Sequence, residues 1–278
     1  MLMLTHTDAR QRSSRIRPVT RAERWGEFPP LAAFLSVFVP SLCASCEQPR
    51  AGLGGAGVCA ACWGSVPELP PATCCRACAL PDAGDPCPDC RRLPQPIGRG
   101  AAAAPYAGPA AAIVRAYKFR GFDLLAPPLA ARMAAAAARF GLLEDRRGTA
   151  LVPVPSTGRR NRERGYDPAL LLALELARAL RLPVASPLRR VRDTAPQSSL
   201  PAARRRANVA GAFEARRPRH RRLLLVDDVL TTGATAFAAA LALRTAGAEE
   251  VDVLAFARTP DPDDFRYPHP SGERGKPS

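Results

Sequence analysis

The chain of 278 residues is 47% hydrophobic and 23% charged, enough for one substantial core plus a small second module, which excludes a disordered chain. Forty Lys and Arg against 25 Asp and Glu leave a formal net charge of +15, which points to anionic partners such as phosphate, pyrophosphate or nucleic acid. No run approaches the roughly 20 apolar residues of a membrane span, so none is expected.

Residues 1–28 carry Arg10, Arg12, Arg15, Arg17, Arg21 and Arg24 without apolar periodicity and read as a flexible basic arm. The arm lacks the apolar centre of a secretory signal, so a cytoplasmic protein is expected. The next apolar stretch, Leu31 to Val39, stops at Pro40.

All nine cysteines lie between Cys43 and Cys90, and eight form the pairs Cys43/Cys46, Cys59/Cys62, Cys75/Cys78 and Cys87/Cys90. A C-x-x-C turn presents two thiolates to one tetrahedral ion, and a second such turn about a dozen residues on completes a four-cysteine zinc site. Two structural zinc ions are expected, in a double zinc ribbon spanning residues 29–93. A disulfide framework would need an oxidising compartment, iron–sulfur ligation uses other spacings, and a thioredoxin-like motif would be single. Whether the ligands pair as neighbours or interleave is open, and so is the role of Cys74, the odd thiol.

The stretch "RRLPQPIGRGAAAAPY", residues 91–106, reads as a connector into a second domain at residues 94–260. There helical and strand patterns alternate. "PAAAIVRAYKF" and "LAPPLAARMAAAAARFG" have helical composition, "ALVPVP" is a short buried strand, and "PALLLALELARALRL" is an amphipathic helix opened by Asp167 and Pro168 as N-cap and first residue. "RRLLLV" is a strand, "ATAFAAALALRTAG" a helix closed by Gly247, and "EVDVLAFAR" a final strand. Strands separated by helices imply parallel crossovers and a doubly wound α/β sheet, whose ligands sit at the carboxyl ends of the strands. Residues 261–278 are Pro-rich and polar and read as a disordered tail.

The turn "DDVLTTGAT" leaves one such strand and enters a helix. Its amides from Thr231 to Thr235 meet the positive end of the helix dipole, a seat for a phosphate monoester. Gly233 permits close approach of the backbone, and the hydroxyls of Thr231, Thr232 and Thr235 can donate. Asp227 and Asp228 cannot serve the phosphate, because like charges repel. Their natural partners are sugar hydroxyls or a metal ion.

The motif "VDDVLTTGAT" resembles the phosphoribosyl pyrophosphate signature of the type I phosphoribosyltransferases. No G-K-[ST] follows it, and no G-x-G-x-x-G lies at this strand-to-helix turn. With the four C-x-x-C pairs, "YAG", "YKFRGFD", "PVPSTGRRNRERGYDPA" and "LRRVRDTAPQSSLPAARRRANVAGAF" in that order, the chain from about Leu31 to Arg258 is similar to the ComF family of competence and GntX-like proteins. The resemblance implies a phosphoribosyltransferase-like domain preceded by the zinc ribbons. Asp227 and Asp228 would then hold ribose hydroxyls, and Thr231, Thr232, Gly233, Ala234 and Thr235 the 5-phosphate. The "PSTGRRNRERG" loop would contact pyrophosphate through Arg159, Arg160 and Arg164, Lys118 would line the same cleft, and the 192–208 segment would close over the substrate. Zinc, and Mg2+ with phosphoribosyl pyrophosphate, are the implied cofactors. A phosphorylated ribose, and single-stranded DNA or a protein of the competence machinery, are the implied partners.

Two departures narrow the reading. Where the family has Asn-Gln after "RGF", this chain has Asp167 and Pro168. Thr231 stands where salvage enzymes for 6-oxopurines place an Asp base. No catalytic residue is assigned: His6 lies in the arm, His220 in an Arg-rich turn and His269 in the tail. The enzyme reading would be displacement at the anomeric carbon, with Mg2+ and arginines neutralising the leaving pyrophosphate. The rival is a non-catalytic nucleotide- or nucleic-acid-binding module, although only Arg50 and Arg76 are basic between Cys43 and Cys90 and aromatics make up 6%.

Overall fold

The computed structural model describes residues 42–49, 57–92, 95–145, 147–192, 209 and 211–260. The expected arm at 1–28, the apolar stretch at 31–39, all but Arg192 of the expected loop at 192–208, and the tail at 261–278 lie outside these residues.

Four parallel strands form the central sheet in the order β1-β6-β5-β2. They are β1 (Gly100–Pro105), β2 (Thr149–Pro153), β5 (Arg222–Leu230) and β6 (Glu250–Arg258). Register is fixed by pairs such as Ala102↔Ala255, Leu225↔Val253 and Val152↔Leu225. A separate antiparallel hairpin joins β3 (Leu188–Arg190) to β4 (Phe213–Ala215). Strand β5 feeds alternate residues to two cores, Leu224 and Val226 to one, Leu223 and Leu225 to the other. The first core is covered by α3 (Gly108–Phe119), α4 (Ala126–Arg139) and α6 (Pro168–Leu180), the second by α7 (Ala234–Thr245) and the hairpin. The sheet is therefore covered on both faces, the doubly wound α/β arrangement expected from strands separated by helices.

Local chemistry sets the helix ends. Asp167 accepts the Leu170 amide at 3.2 Å, Pro168 follows as first residue, and Leu172, Ala173, Leu176 and Leu180 supply the buried stripe of α6. Helix α7 starts after Gly233, whose φ of 76° is left-handed, and ends before Gly247 at φ 102°, the stop its sequence announces.

The connector expected at residues 91–106 is corrected: it contains β1, an edge strand made almost wholly of alanine. Alanine carries little strand preference, and an all-buried run has no alternation to betray it. The "PSTGRRNRERG" loop is corrected likewise, since Gly158–Arg164 forms a short helix, α5.

The cysteine-rich segment packs against this sheet and contributes Cys43, Ala44, Val58, Cys62 and Val66 to the first core. It also covers the outer edge of β1: the Gly100 amide donates to the Arg76 carbonyl at 2.6 Å, and the Leu69 amide to the Ala103 carbonyl at 3.3 Å. An open strand edge is thereby closed from within the chain. Arg132 of α4 anchors the segment elsewhere, donating to the Trp63 carbonyl at 2.6 Å with its guanidinium over the Trp63 ring.

Candidate metal centres and ligand cleft

All nine cysteines are free thiols. Cys43, Cys46, Cys59 and Cys62 form one cluster, and Cys75, Cys78, Cys87 and Cys90 a second, with the sulfurs of each within 4.8 Å of one another. Neighbouring pairs thus share a site and do not interleave. The two clusters are built alike. In the first, the Cys43 amide donates to the Gln48 carbonyl and the Glu47 amide to the Cys43 carbonyl, with Glu47 left-handed at φ 59°. In the second, Cys75, Leu80 and Ala79 repeat those bonds and that conformation.

Short helices follow the later pairs, α1 (Ala60–Gly64) after Cys59 and α2 (Pro88–Arg92) after Cys87. Backbone amides point at the sulfurs: Cys59 and Ser45 donate to Cys43 Sγ at 3.3 and 3.4 Å, and Cys87 to Cys75 Sγ at 3.4 Å. Four sulfurs at this separation, with amide donors around them, suit a tetrahedral zinc ion held as thiolates. Both clusters can hold zinc.

The repeat also explains Cys74. A bridge pairs Leu42 with Pro49 in the first unit and Cys74 with Pro81 in the second, so Cys74 occupies the place of Leu42. It is an apolar position, not a ligand. Leu42 is 54% exposed, whereas Cys74 is 4% exposed against Leu69, Ala79 and Ala102.

The acidic pair sits inside β5, which runs on to Leu230. Strand alternation carries Asp228 to the face of Leu224 and Val226. There α3 delivers Lys118, whose Nζ lies 2.7 Å from Asp228 Oδ1. The side chains are 21% and 8% exposed, so each charge is held largely by the other. Asp227 accepts the Asp228 amide on its own Oδ1 at 2.8 Å. Burial, then the neighbouring Asp228 charge, pushes the Asp227 carboxyl well above the usual carboxylate range, with Lys118 opposing.

Lys118 is held in place by its neighbour. The buried Tyr117 hydroxyl donates to the Pro168 carbonyl at 2.8 Å, and the Tyr166 hydroxyl donates to the Tyr117 carbonyl. Burial raises both phenols, Tyr166 to about 12. Asp167 is a helix cap whose second oxygen accepts from Asn161 Nδ2 at 2.8 Å, and Asn161 in turn accepts from the Ser156 hydroxyl. The acid that departs from the family pattern thereby braces the turn between α5 and α6.

Beyond Leu230 the chain bends through Thr231 to Gly233 and enters α7. Thr232 Oγ1 accepts the Ala234 amide at 3.3 Å. Because β2 pairs with β5, and Val154 donates to the Val226 carbonyl at 3.0 Å, the segment after β2 lies beside the acidic pair. Their shared carboxyl ends are where an open α/β sheet places its ligand. Arg164 projects its guanidinium over the Phe119 ring at 5.0 Å, next to Lys118 in sequence. Helix α5 carries Arg159 and Arg160.

One residue beside the candidate site is not among the sequence expectations. Arg258, the last residue of β6, is 1% exposed and donates to carbonyls at Cys78, Leu230, Thr231 and Thr259. Its signal is an arginine that closes the apolar run from Val253 to Ala257.

No protein-family model matches the chain. The DNA utilization protein YhgH of Escherichia coli (strain K12) is 35% identical over 231 residues, covering 80% of this chain and 98% of that protein. The YhgH of Salmonella typhimurium is 35% identical over 234 residues with the same coverage. Competence protein F of Haemophilus influenzae is 40% identical over 114 residues, 39% of this chain and 50% of its own length. With its paired four-cysteine clusters, its parallel sheet and relatives aligned almost end to end, the chain belongs to the ComF family.

Proposed function

We propose that the cleft at the carboxyl ends of β2 and β5 binds phosphoribosyl pyrophosphate with Mg2+, or a related ribose 5-phosphate ligand, and that the protein serves DNA uptake or utilization. The carrying observation is the buried Lys118–Asp228 ion pair one turn of chain before a threonine-rich bend that opens an α-helix. Carboxylates for sugar hydroxyls and helix-terminal amides for phosphate are adjacent, as a sugar phosphate requires. Asp227 and Asp228 would hold the ribose, residues 231–235 the phosphate, and Arg159, Arg160 and Arg164 the pyrophosphate, through forked guanidinium contacts. Zinc in the clusters would be structural, since four thiolates leave no open position.

The names of the relatives, DNA utilization protein and Competence protein F, and the net charge of +15 favour a role alongside DNA. Transfer to an acceptor would proceed by displacement at the anomeric carbon, with positioning supplying most of the rate.

Titration calorimetry of phosphoribosyl pyrophosphate with Mg2+ into the zinc-loaded full chain tests this reading. Saturable binding, lost in the Asp227→Asn/Asp228→Asn variant while its circular dichroism is unchanged, is the expected result. A folded wild-type protein that takes up no ligand overturns it and leaves the nucleic-acid module.

A further inference from the structure

The guanidinium of Arg258 stands between the second cysteine cluster and the threonine-rich bend. Nε donates to the Cys78 carbonyl at 2.9 Å, and the terminal nitrogens reach the Leu230 carbonyl at 3.1 Å, the Thr259 carbonyl at 3.0 Å, the Thr231 carbonyl and Cys78 Sγ at 3.9 Å. Cys78 belongs to the cluster, and Leu230 and Thr231 begin the bend. A cleft of about 50 Å3 lies along the same seam, lined by Cys78 and Cys90 on one side and Thr232 and Gly233 on the other, with Arg258 at its wall.

A buried cation is costly unless its donors are satisfied and its charge is answered. The four carbonyls that Arg258 reaches satisfy its donors but carry no full negative charge, which leaves the Cys78 sulfur, as a thiolate of its cluster, to answer it. A four-thiolate cluster loaded with one divalent ion carries a net charge of about −2, which is the answering charge. We infer that Arg258 is a positioning residue that makes the shape of the 230–235 bend depend on metal in the second cluster. Loading fixes the Cys78 carbonyl and supplies the counter-charge, so the guanidinium holds Leu230 and Thr231. Loss of the metal releases both anchors. Such coupling is reciprocal: whatever binds the bend must also slow release of that metal. The first cluster makes no such contact among the described residues and serves as an internal control.

Hydrogen exchange of the backbone from residue 226 to 237 in the full-length protein reads the coupling without any ligand. The Cys90→Ser variant, which removes a ligand of the second cluster, should exchange about tenfold faster across 230–235, while Cys46→Ser in the first cluster should not. Arg258→Met should show the same acceleration with both zinc ions retained by elemental analysis. Arg258→Lys keeps the charge but loses the fork, so it should fall between and decides the matter if the methionine variant does not fold. Equal acceleration by Cys46→Ser and Cys90→Ser, or an unchanged bend in zinc-loaded Arg258→Lys and Arg258→Met, overturns the inference.

The reciprocal arm rests on the phosphoribosyl reading of the cleft: phosphoribosyl pyrophosphate with Mg2+ should slow zinc transfer to a chromogenic chelator in the wild type and not in Arg258→Lys. If the ligand fails to bind at all, that reading falls and the exchange comparison still decides the role of Arg258.

Discussion

At the scale of residues, two neighbouring carboxyls of β5 lie in different environments. Asp228 has Lys118 at 2.7 Å. Asp227 has burial and a like charge against it, and is held well above its ordinary value. A carboxyl whose folded value is raised binds its proton more tightly in the native state, so it loses the protein stability as pH rises from about 4 through that folded value. The raised value of Asp227 is thus a cost at neutral pH. Asp227→Asn should melt several degrees higher than wild type at pH 7, each 1 kcal/mol being about 2–4 °C at this size, with the difference closing towards pH 4. Calorimetric scans across pH check this, and a variant less stable at every pH defeats it. Lys118→Met works the other way: it leaves Asp228 buried without its cation and should cost roughly 3 kcal/mol in denaturant unfolding, much of which Lys118→Arg, keeping the cation, should avoid. Retention of wild-type stability by Lys118→Met would mean that the pair contributes nothing.

At the scale of elements, β1 shows what a sequence discloses and what it hides. The α6 helix was readable because its cap, its proline and its apolar stripe agree, and the bend after β5 because strand, threonines, glycine and helix come in order. The alanines of β1 carry no such code. What makes them a strand is the neighbouring Ala255 and Ala257 on one edge and the cysteine-rich segment on the other. Small side chains suit a place where backbones approach closely, and Gly100 is the extreme case, since a Cβ there would lie 2.7 Å from the Ala77 carbonyl oxygen. Gly100→Ala should therefore cost about 1–3 kcal/mol, whereas Gly64→Ala, where a Cβ meets nothing within 4 Å, should cost little. A null result at Gly100 in paired melting curves would show that the contact is slack. Of Arg258 the sequence shows only a charge closing an apolar run; its carbonyl partners at Cys78, Leu230 and Thr231 are distant in the chain, which no local pattern records. The candidate carboxylates stand out in the sequence, but not the lysine's distance or the arginine's span.

At the scale of the whole molecule, the cysteine-rich segment is part of the packed body. It shares the first core, seals the β1 edge and meets the bend after β5 through Arg258. Stripping metal with a strong chelator should therefore lower the melting temperature of the entire described unit by at least about 10 °C, read by sheet circular dichroism. A sheet that melts unchanged would show that the segment is only appended. The positive charge acts at the same scale. If the protein grips DNA, its affinity for single strands should fall linearly in log–log form with salt, and flat affinity between low and physiological salt would exclude an electrostatic grip.

The buried Cys74 has a consequence for handling the protein. Eight thiols are shielded by coordination when metal is bound, but this one is shielded by packing in a small cluster with Leu69, Ala79, Ala102 and Phe140. A maleimide dye offered to loaded protein in mild denaturant should mark Cys74 first if the second unit lifts off β1 while still coordinated, and mark several cysteines together if coordination fails first. The chain thus carries its own stopwatch for the order in which its parts come away.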